Sequence, residues 1–305
     1  PQEFFEFKFQ ELFFDIAENW ENNTTLGIAR YQDFDQKKRD HDTLYVKTKF
    51  GYYRINNSIA LYGFGHFQYQ KYLYGYLYPR IVNNSSSFIR YSGIPRDISR
   101  KGFNSGETDL SGIGFQNSWL SFQIGRGRES WGAGNDIKLA LNENSPSYDY
   151  AMLGSNYGKI NVKFIYGYLE SSENNVNRYI TARGIEWSNK SSLIIGLNET
   201  VVYSGQNRPI DFAYLNPMST HLEIELNNRL NRTGTDGSNA VWQVSGDWLF
   251  YKRKIRLSIN YLIDEFVLDD IELDNNKEHG QAFSTRFSYT PIIRKDFILT
   301  IFGTY

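Results

Sequence analysis

The 305-residue sequence contains no cysteine, no apolar run of membrane-helix length and almost no net charge. The absence of cysteine excludes a disulfide framework and thiolate metal sites. No stretch approaches the ~20 consecutive apolar residues that an ordinary transmembrane helix requires. The formal net charge is -1, so no overall positive field favours nucleic acid as a partner.

Groupings of residues typical of catalysis or metal binding are also missing. The four histidines lie in unrelated contexts, without the spacing of metal ligands. Serine and aspartate are plentiful, but no segment resembles a nucleophile elbow. The acidic pairs Asp264-Glu265 and Asp269-Asp270 could supply calcium ligands, although a solvated loop is the better interpretation. We therefore expect no enzyme, and predict no catalytic residue, metal site or cofactor.

The sequence is instead rich in aromatic residues set in a polar background. Tyrosine, phenylalanine and tryptophan make up 17% of it, yet only 40% of the residues are apolar, and the mean hydropathy is -0.53. A soluble protein would normally bury so many rings among a matching excess of leucine, isoleucine and valine. Aromatic girdles at two membrane interfaces, a polar lumen and long polar loops would produce the observed mixture.

Apolar and polar side chains alternate along many segments of about ten residues, the length of a membrane-spanning strand. One clear example has an apolar face formed by Ile255, Leu257, Ile259, Tyr261 and Ile263. Successive side chains of a strand point to opposite faces, so each segment has one apolar and one more polar side. A single such segment favours a sheet over a soluble core. Their number, together with the tyrosine content, favours the wall of a membrane barrel.

We therefore predict an all-β fold: a large antiparallel transmembrane β-barrel of the bacterial outer membrane, with roughly 16–18 strands. Residues 1–305 are expected to form a single barrel domain that contacts membrane lipid and lipopolysaccharide. No helical plug or separate domain is expected.

Short turns and long polar connections are both predicted along the chain. Tyr157-Gly158-Lys159 and Tyr251-Lys252-Arg253-Lys254 are typical of short turns. Longer polar connections are predicted at residues 33–42, 83–107, 142–150, 204–220 and 227–239. An outer-membrane barrel has its turns on one side of the membrane and its loops on the other.

The first candidate site is the segment 125–134, at the end of an alternating strand. It combines Arg126, Arg128 and Trp131 with four glycines. Glycine lets the backbone approach a ligand closely, arginine offers a fork of donors, and tryptophan offers a flat ring. These groups suit a sugar, which has hydroxyls at its edge and apolar C–H groups on its face. The alternative is a strand end with an interfacial tryptophan and internal ion pairs. As a phosphate-binding loop the segment is weak, because the Lys-Ser/Thr ending is missing.

A second candidate contains Arg183 and, further along the chain, Glu199. On a strand, Arg183 shares a face with Thr181 and Ile185, whereas Glu186 lies on the opposite face. A direct pair between Arg183 and Glu186 is therefore not expected. We predict that a charge on either face is balanced from a neighbouring strand.

The third candidate is the turn-like segment from Tyr214 to Met218, which contributes Tyr214 and Asn216. Asn216 should be extended because Pro217 follows it. We expect this segment to reach into the mouth or lumen of the barrel; the alternative is a simple loop.

These segments, in this order, resemble the capsule-assembly Wzi family of outer-membrane barrels. The similarity lies in a Gly-Arg…Trp-Gly-x-Gly…Leu…Asn-x-x-Pro pattern, found here as GRGRESWGAGNDIKLALNENSPSYDY. It continues through ARGIEW, LIIGLNETVVYSG, FAYLNPM and YLIDEFVLDD, and covers residues 126–270, just under half of the chain.

The resemblance implies a non-enzymatic barrel that binds extracellular or capsular polysaccharide and helps to retain it at the cell surface. Members of the family carry an N-terminal helical region, which is not found here, and continue with further strands. The resemblance thus implies that this chain is cut short, in keeping with its start at Pro1. The expected polysaccharide contacts are Arg126, Arg128, Trp131, Arg183, Glu199, Tyr214 and Asn216.

Two other functions fit the same fold. One is a porin-like channel for small solutes, and the other is a structural subunit that docks with other outer-membrane proteins in a larger complex. Conductance across a planar bilayer tests the first, and co-purification at fixed stoichiometry tests the second.

Overall fold

The fold is known from a computed structural model. It describes residues 44–55, 57–70, 72–88, 91–97, 100–134, 137–142, 144–172, 175–226, 238–264, 280–294 and 297–305. The predicted loop at 33–42, the acidic residues after Asp264 and nearly all of the connection 227–239 lie outside these ranges.

The described residues form 13 strands, and the order of the strands in the sheet follows their order along the chain. The strands are β1 (Leu44–Ile55), β2 (Ser58–Tyr69), β3 (Leu73–Val82), β4 (Ser105–Gln116), β5 (Leu120–Gly127), β6 (Tyr148–Asn156), β7 (Ile160–Ser172), β8 (Val176–Ser188), β9 (Leu193–Gln206), β10 (Ser238–Phe250), β11 (Ile255–Asp264), β12 (Gly280–Arg294) and β13 (Phe297–Thr304). Neighbours from β1 to β5 and from β7 to β13 pair antiparallel.

The described chain divides into two compact units. The first unit contains residues up to 128 together with 144–153, and the second contains residues 129–142 and 154–305. Whether residues 1–305 form a single domain stays a prediction.

In the first unit, the two faces of the sheet carry opposite kinds of side chain. Leu61, Leu77 and Ile113 are exposed on one face, which we call the apolar face. His66 and Gln123 are buried on the other, the polar face. The register places these residues on common faces, since Leu61 lies opposite Ile81 of β3, on the same side of that strand as Leu77.

The alternation of β3 is interrupted at Pro79. Proline cannot donate a hydrogen bond to a sheet ladder, so within sheets it is found at edges and bulges. Here the register shifts between Tyr78, which lies opposite Leu110, and Pro79, which lies opposite Thr108. Asp109 is the extra residue of this bulge, and it is buried. The bulge thus adds a carboxylate to the interior of the unit.

The second unit repeats the same division between faces. Its apolar face carries exposed side chains at Ile185, Trp187, Ile195, Leu197, Val244 and Trp248. Its polar face carries buried side chains at Lys163, Glu186, Asn198, Gln243, Ser245, Asn260 and Ser284. The antiparallel registers keep each set on one face from β7 to β12.

Connections alternate between short and long, as the sequence predicts. Three residues, 157–159, join β6 to β7, and four, 251–254, join β10 to β11. The connections after β3, β5, β9 and β11 are much longer, and antiparallel pairing places long connections at the opposite strand ends from short turns. Two predicted boundaries are wrong: β6 begins at Tyr148, inside the expected loop 142–150, and β9 extends to Gln206.

Two short helices, α1 (Phe212–Leu215) and α2 (His221–Leu226), follow β9. The sequence predicts only a polar loop over most of this region. Asp211 begins α1 because its side chain accepts a hydrogen bond from the Ala213 amide. Asn216 ends α1 in an extended conformation before Pro217, which confirms that prediction. None of the described helices has the length and apolarity needed to cross a membrane.

The structure confirms the predicted class, an all-β antiparallel sheet of the transmembrane-barrel type. The predicted total of roughly 16–18 strands also depends on residues outside the described ranges.

Candidate functional site

A cluster of charged side chains lies on the polar face of the first unit, around the bulge. Arg80 forms ion pairs with Glu107 and with Asp109, the latter at 3.2 Å. Arg128 forms an ion pair with the same Asp109 and donates a hydrogen bond of 2.9 Å to Ser147 Oγ. These five residues, which we call the arginine cluster, lie near the strand ends that lead into the long connections.

Aromatic rings and a loop serine complete the surroundings of the arginine cluster. The Arg80 guanidinium lies 5.6 Å from the Tyr78 ring centre and 5.5 Å from that of Tyr91. Ser92 donates hydrogen bonds of 2.7 Å to Glu107 Oε2 from both its amide and its hydroxyl. All four charged side chains are at most 10% exposed. The cluster is therefore a built, internally neutralised array of charges and rings.

Arg126, the other arginine of the first predicted segment, lies on the apolar side of β5. It is opposite Ser111, and its Nη1 is 2.9 Å from Asp149 Oδ2. The Asp149 side chain is 62% exposed, so this pair is open to solvent or ligand at the end of the strand. Arg126 is the more accessible of the two predicted arginines.

A buried glutamine organises the predicted tyrosine ladder. Tyr74, Tyr76 and Tyr78 share the polar face of β3, which confirms the predicted alternation. Gln123 accepts a hydrogen bond of 2.8 Å from the Tyr74 hydroxyl and donates one of 2.9 Å to each of the Tyr76 and Tyr150 hydroxyls. The ladder is thus part of the interior of the first unit.

In the second unit, residues 129–142 lie against the polar face; we call this stretch the inner segment, of which 135–136 are not described. Glu129 forms an ion pair of 2.6 Å with Lys163 and accepts a hydrogen bond of 3.0 Å from the Trp131 indole. The Lys163 ammonium lies 5.6 Å from the centre of the Trp131 ring. Trp131 is 0% exposed, so this predicted sugar contact serves as a packing residue in the structure described.

Two buried amides attach the inner segment to the sheet. Asn260 accepts a hydrogen bond of 2.7 Å from the Ala133 amide and donates to the Ala133 and Ile137 carbonyls at 2.9 and 3.1 Å. Gln243 accepts from the Ala140 amide at 2.9 Å. Side-chain amides can satisfy a backbone strand that has no sheet partner, because each offers both donors and an acceptor.

Gly132 is needed where the inner segment passes these amides. Its φ is +126°, a conformation that residues with a Cβ atom rarely adopt. A Cβ at this position would lie 2.8 Å from Asn260 Oδ1. The predicted role of glycine, close backbone approach, is therefore used toward the protein's own sheet.

The Arg183–Glu199 pair lies on the apolar side of β8 and β9. The two residues are directly opposite in the register, and Arg183 Nε is 3.2 Å from Glu199 Oε2. This confirms that Arg183 is balanced from a neighbouring strand. Glu186 lies on the opposite face, where its Oε1 accepts a hydrogen bond of 3.0 Å from Asn161.

Residues 208–224, which include α1, cover this pair; we call them the cover segment. Glu199 Oε1 accepts a hydrogen bond of 2.9 Å from the His221 amide, and Arg183 Nη1 lies 3.5 Å from the Asn216 carbonyl. Tyr214 is 0% exposed and stacks on Tyr203 with ring centres 4.8 Å apart. The cover segment therefore packs on the apolar side of the sheet, not in the mouth or lumen as expected.

The structure thus brings four predicted residues together: Arg183, Glu199, Tyr214 and Asn216. Trp131 lies on the other face of the same unit, and Arg126 and Arg128 belong to the first unit. Sequence reasoning missed the remaining members of the arginine cluster. Pro79 within an alternating strand was the available signal, because proline there predicts a bulge.

Among the described residues, no three histidine, aspartate or glutamate side chains are grouped in a way that could hold a metal ion.

Exposed aromatic side chains gather near the short turns. In the first unit these are Tyr69, Tyr72 and Trp119, which flank the turns after β2 and β4. In the second unit they are Tyr157, Trp187, Trp248 and Tyr251, which flank the turns after β6, β8 and β10. Aromatic residues at this height form the girdle of a membrane barrel at the interface with water.

An exposed apolar face, a buried polar face and an aromatic girdle are together the reverse of a soluble sheet and define an outer-membrane β-barrel. The chain is such a protein, located in the bacterial outer membrane and surrounded there by lipid and lipopolysaccharide.

Three solved structures of limited similarity were found. Salmonella typhi OmpF in complex with daunomycin is 11% identical, with a TM-score of 0.38, over 86% of this chain and 87% of that one. Acinetobacter baumannii OccAB1 is 9% identical, with a TM-score of 0.34, over 81% and 74%. Pseudomonas aeruginosa OccK5 (OpdH) is 12% identical, with a TM-score of 0.25, over 85% and 88%. No protein-family model and no curated protein matches the chain.

Proposed function

We propose that this protein binds extracellular or capsular polysaccharide without catalysis and helps to retain it at the cell surface. The observation that carries the proposal is the concentration of arginine, carboxylate and tyrosine at the long-connection end of the first unit. The arginine cluster and the Arg126–Asp149 pair both lie there. Guanidinium groups match the carboxylates of an acidic polysaccharide, and aromatic rings match the C–H faces of sugars.

The connection after β3 adds further charge at the same end. Arg96, Asp97, Arg100 and Lys101 are exposed in it, and they follow Tyr91, which contacts Arg80. Exposed positive groups raise the association rate of an anionic polymer, while the half-buried rings and carboxylates provide specificity. Arg126, Arg128, Trp131, Arg183, Glu199, Tyr214 and Asn216 remain the proposed contacts, with Arg126 the most accessible of the charged ones.

Retention of polysaccharide on cells that carry Arg126→Ala tests the proposal. We expect weaker retention, and weaker binding of the purified variant on a glycan array, because a guanidinium that pairs with acidic sugars is lost. Arg253→Ala is the matched control, since Arg253 is an exposed arginine in the short turn after β10. Trp131→Ala is a poorer test because Trp131 is buried.

Retention unchanged in Arg126→Ala, with normal assembly in the outer membrane, would remove Arg126 from the site. Equal loss in Arg126→Ala and Arg253→Ala would show that surface charge in general, and not this site, matters.

The alternative is a porin-like channel, and the charges on the polar face favour it. Arg256 and Asp247 form an ion pair there, and Arg286 lies on the same face. The inner segment argues against free passage, because it lies on this face and is fixed to it by Asn260 and Gln243. Planar-bilayer recording separates the two functions: the polysaccharide-binding protein should pass little current, and steady porin-like conductance would favour the channel.

A further inference from the structure

The cover segment answers a problem of solvation that the sheet alone does not solve. Arg183 and Glu199 stand on the face that, two residues further along the same strands, carries the exposed Ile185 and Leu197. Two residues correspond to about 7 Å along a strand. Without a cover, the ion pair would face the acyl chains that surround Ile185 and Leu197.

The cover segment removes the charges of this pair from that environment. It donates the His221 amide to Glu199, and its Asn216 carbonyl lies next to Arg183. Its own charged groups near the strands are paired as well, since Arg208 lies 3.2 Å from Asp211 and both side chains are at most 2% exposed. The cover segment therefore hides polar groups on the side that faces the sheet.

The opposite side of the cover segment is apolar. Met218 is 86% exposed, Phe212 is 70% exposed and Ile210 is 49% exposed. Between residues 209 and 220 the only ionisable side chain with a formal charge is the buried Asp211. An exposed surface without charge is typical of contact with lipid, whereas loops that face water carry charged side chains, as the connection at 91–97 does.

We propose that the cover segment is a lipid-facing element: it replaces the sheet as the outer surface over β8 and β9, and it inserts Phe212 and Met218 among the lipid molecules of the bilayer. Irregular backbone is tolerated at membrane depth where its polar groups are satisfied by protein. That condition is met by the hydrogen bonds to Thr181, Glu199 and Tyr203. The inference depends on the membrane class of the protein and not on polysaccharide binding.

Single-cysteine variants test this directly, because the sequence has no cysteine of its own. Phe212→Cys and Met218→Cys would be labelled with a nitroxide in phospholipid vesicles. Collision rates would then be measured with oxygen, which concentrates in acyl chains, and with a neutral nickel chelate, which stays in water. Both sites are exposed, so substitution should leave folding intact, and Ile210→Cys is available should one variant fail to assemble.

We expect the ratio of oxygen to nickel collisions at positions 212 and 218 to match that of Leu197→Cys, on the apolar face of β9. Arg96→Cys, in an exposed connection, should show the opposite preference. A nickel preference at 212 and 218 like that of position 96 would overturn the proposal in favour of water. Immobilised labels shielded from both reagents would overturn it in favour of a protein partner. Since Leu197→Cys reports on the membrane face separately, a failure of the membrane class would be recognised.

Discussion

At the scale of single residues, the charges on the apolar side of the sheet are those whose partners matter most. The Arg183 and Glu199 side chains are 11% and 1% exposed, and each depends on the other and on the cover segment. Breaking a buried ion pair by removing one partner typically costs about 3–5 kcal/mol, because the remaining charge stays buried without compensation. An exposed pair contributes about 0–1 kcal/mol.

Glu199→Gln should therefore lower the free energy of unfolding by about 3–5 kcal/mol. The double variant Arg183→Met/Glu199→Gln should recover most of that loss, because no unpaired charge remains. Asp149→Asn is the matched control, since its partner Arg126 is largely outside the interior, and its effect should stay within about 1 kcal/mol. Urea unfolding of protein folded into vesicles measures all three; a double variant no more stable than Glu199→Gln would show that the ion pair is not the cause.

Several residue roles could not be predicted from the sequence. The sequence predicts correctly that Arg183 pairs across strands, because strand geometry separates it from Glu186. It does not reveal that Glu199 is the partner, since that depends on the register between β8 and β9. Trp131 and Tyr214 were expected as sugar contacts, and both are buried because each packs against a segment that returns to the sheet after a long connection.

At the scale of elements, the two segments that fold back on the second unit use opposite faces of the sheet. The inner segment lies on the polar face through side-chain amides, and the cover segment lies on the apolar side through stacked tyrosines and an ion pair. Alternation within strands was readable from the sequence because one face had to be apolar. The fold-back of the connections was not, because it rests on contacts such as that between Asn260 and Ala133, 127 residues apart.

Asn260→Ala should release the inner segment while the sheet remains folded. The substitution leaves the buried Ala133 amide and carbonyl without the Asn260 side chain, and an unsatisfied buried group costs about 1–3 kcal/mol. Hydrogen exchange of peptides covering residues 129–142 should become faster, with little change in β7–β9. Asn239→Ala, at an exposed position of β10, is the control and should leave exchange unchanged. Slow exchange at 129–142 in Asn260→Ala would show that other contacts hold the segment.

At the scale of the whole molecule, the solvent that surrounds the apolar face decides the class of the protein. Composition and alternation were enough to predict the antiparallel class and the outer-membrane location, because a two-residue alternation that ends in aromatic side chains is typical of few other folds. Strand ends and the helices α1 and α2 were predicted less well, since tertiary contacts decide them. The seven proposed polysaccharide contacts remain predictions that the retention and glycan-binding experiments address.

Quenching of the native tryptophans by brominated phospholipids tests the central claim, that hydrocarbon surrounds the apolar face. Trp119, Trp187 and Trp248 are exposed on this face or at its girdle, while Trp131 is buried on the other side of the sheet. We predict a clear loss of fluorescence when the protein is transferred from ordinary to acyl-chain-brominated vesicles, and recovery of most of the difference when the three exposed tryptophans are replaced by phenylalanine. Equal fluorescence of the native protein in both kinds of vesicle would contradict the account.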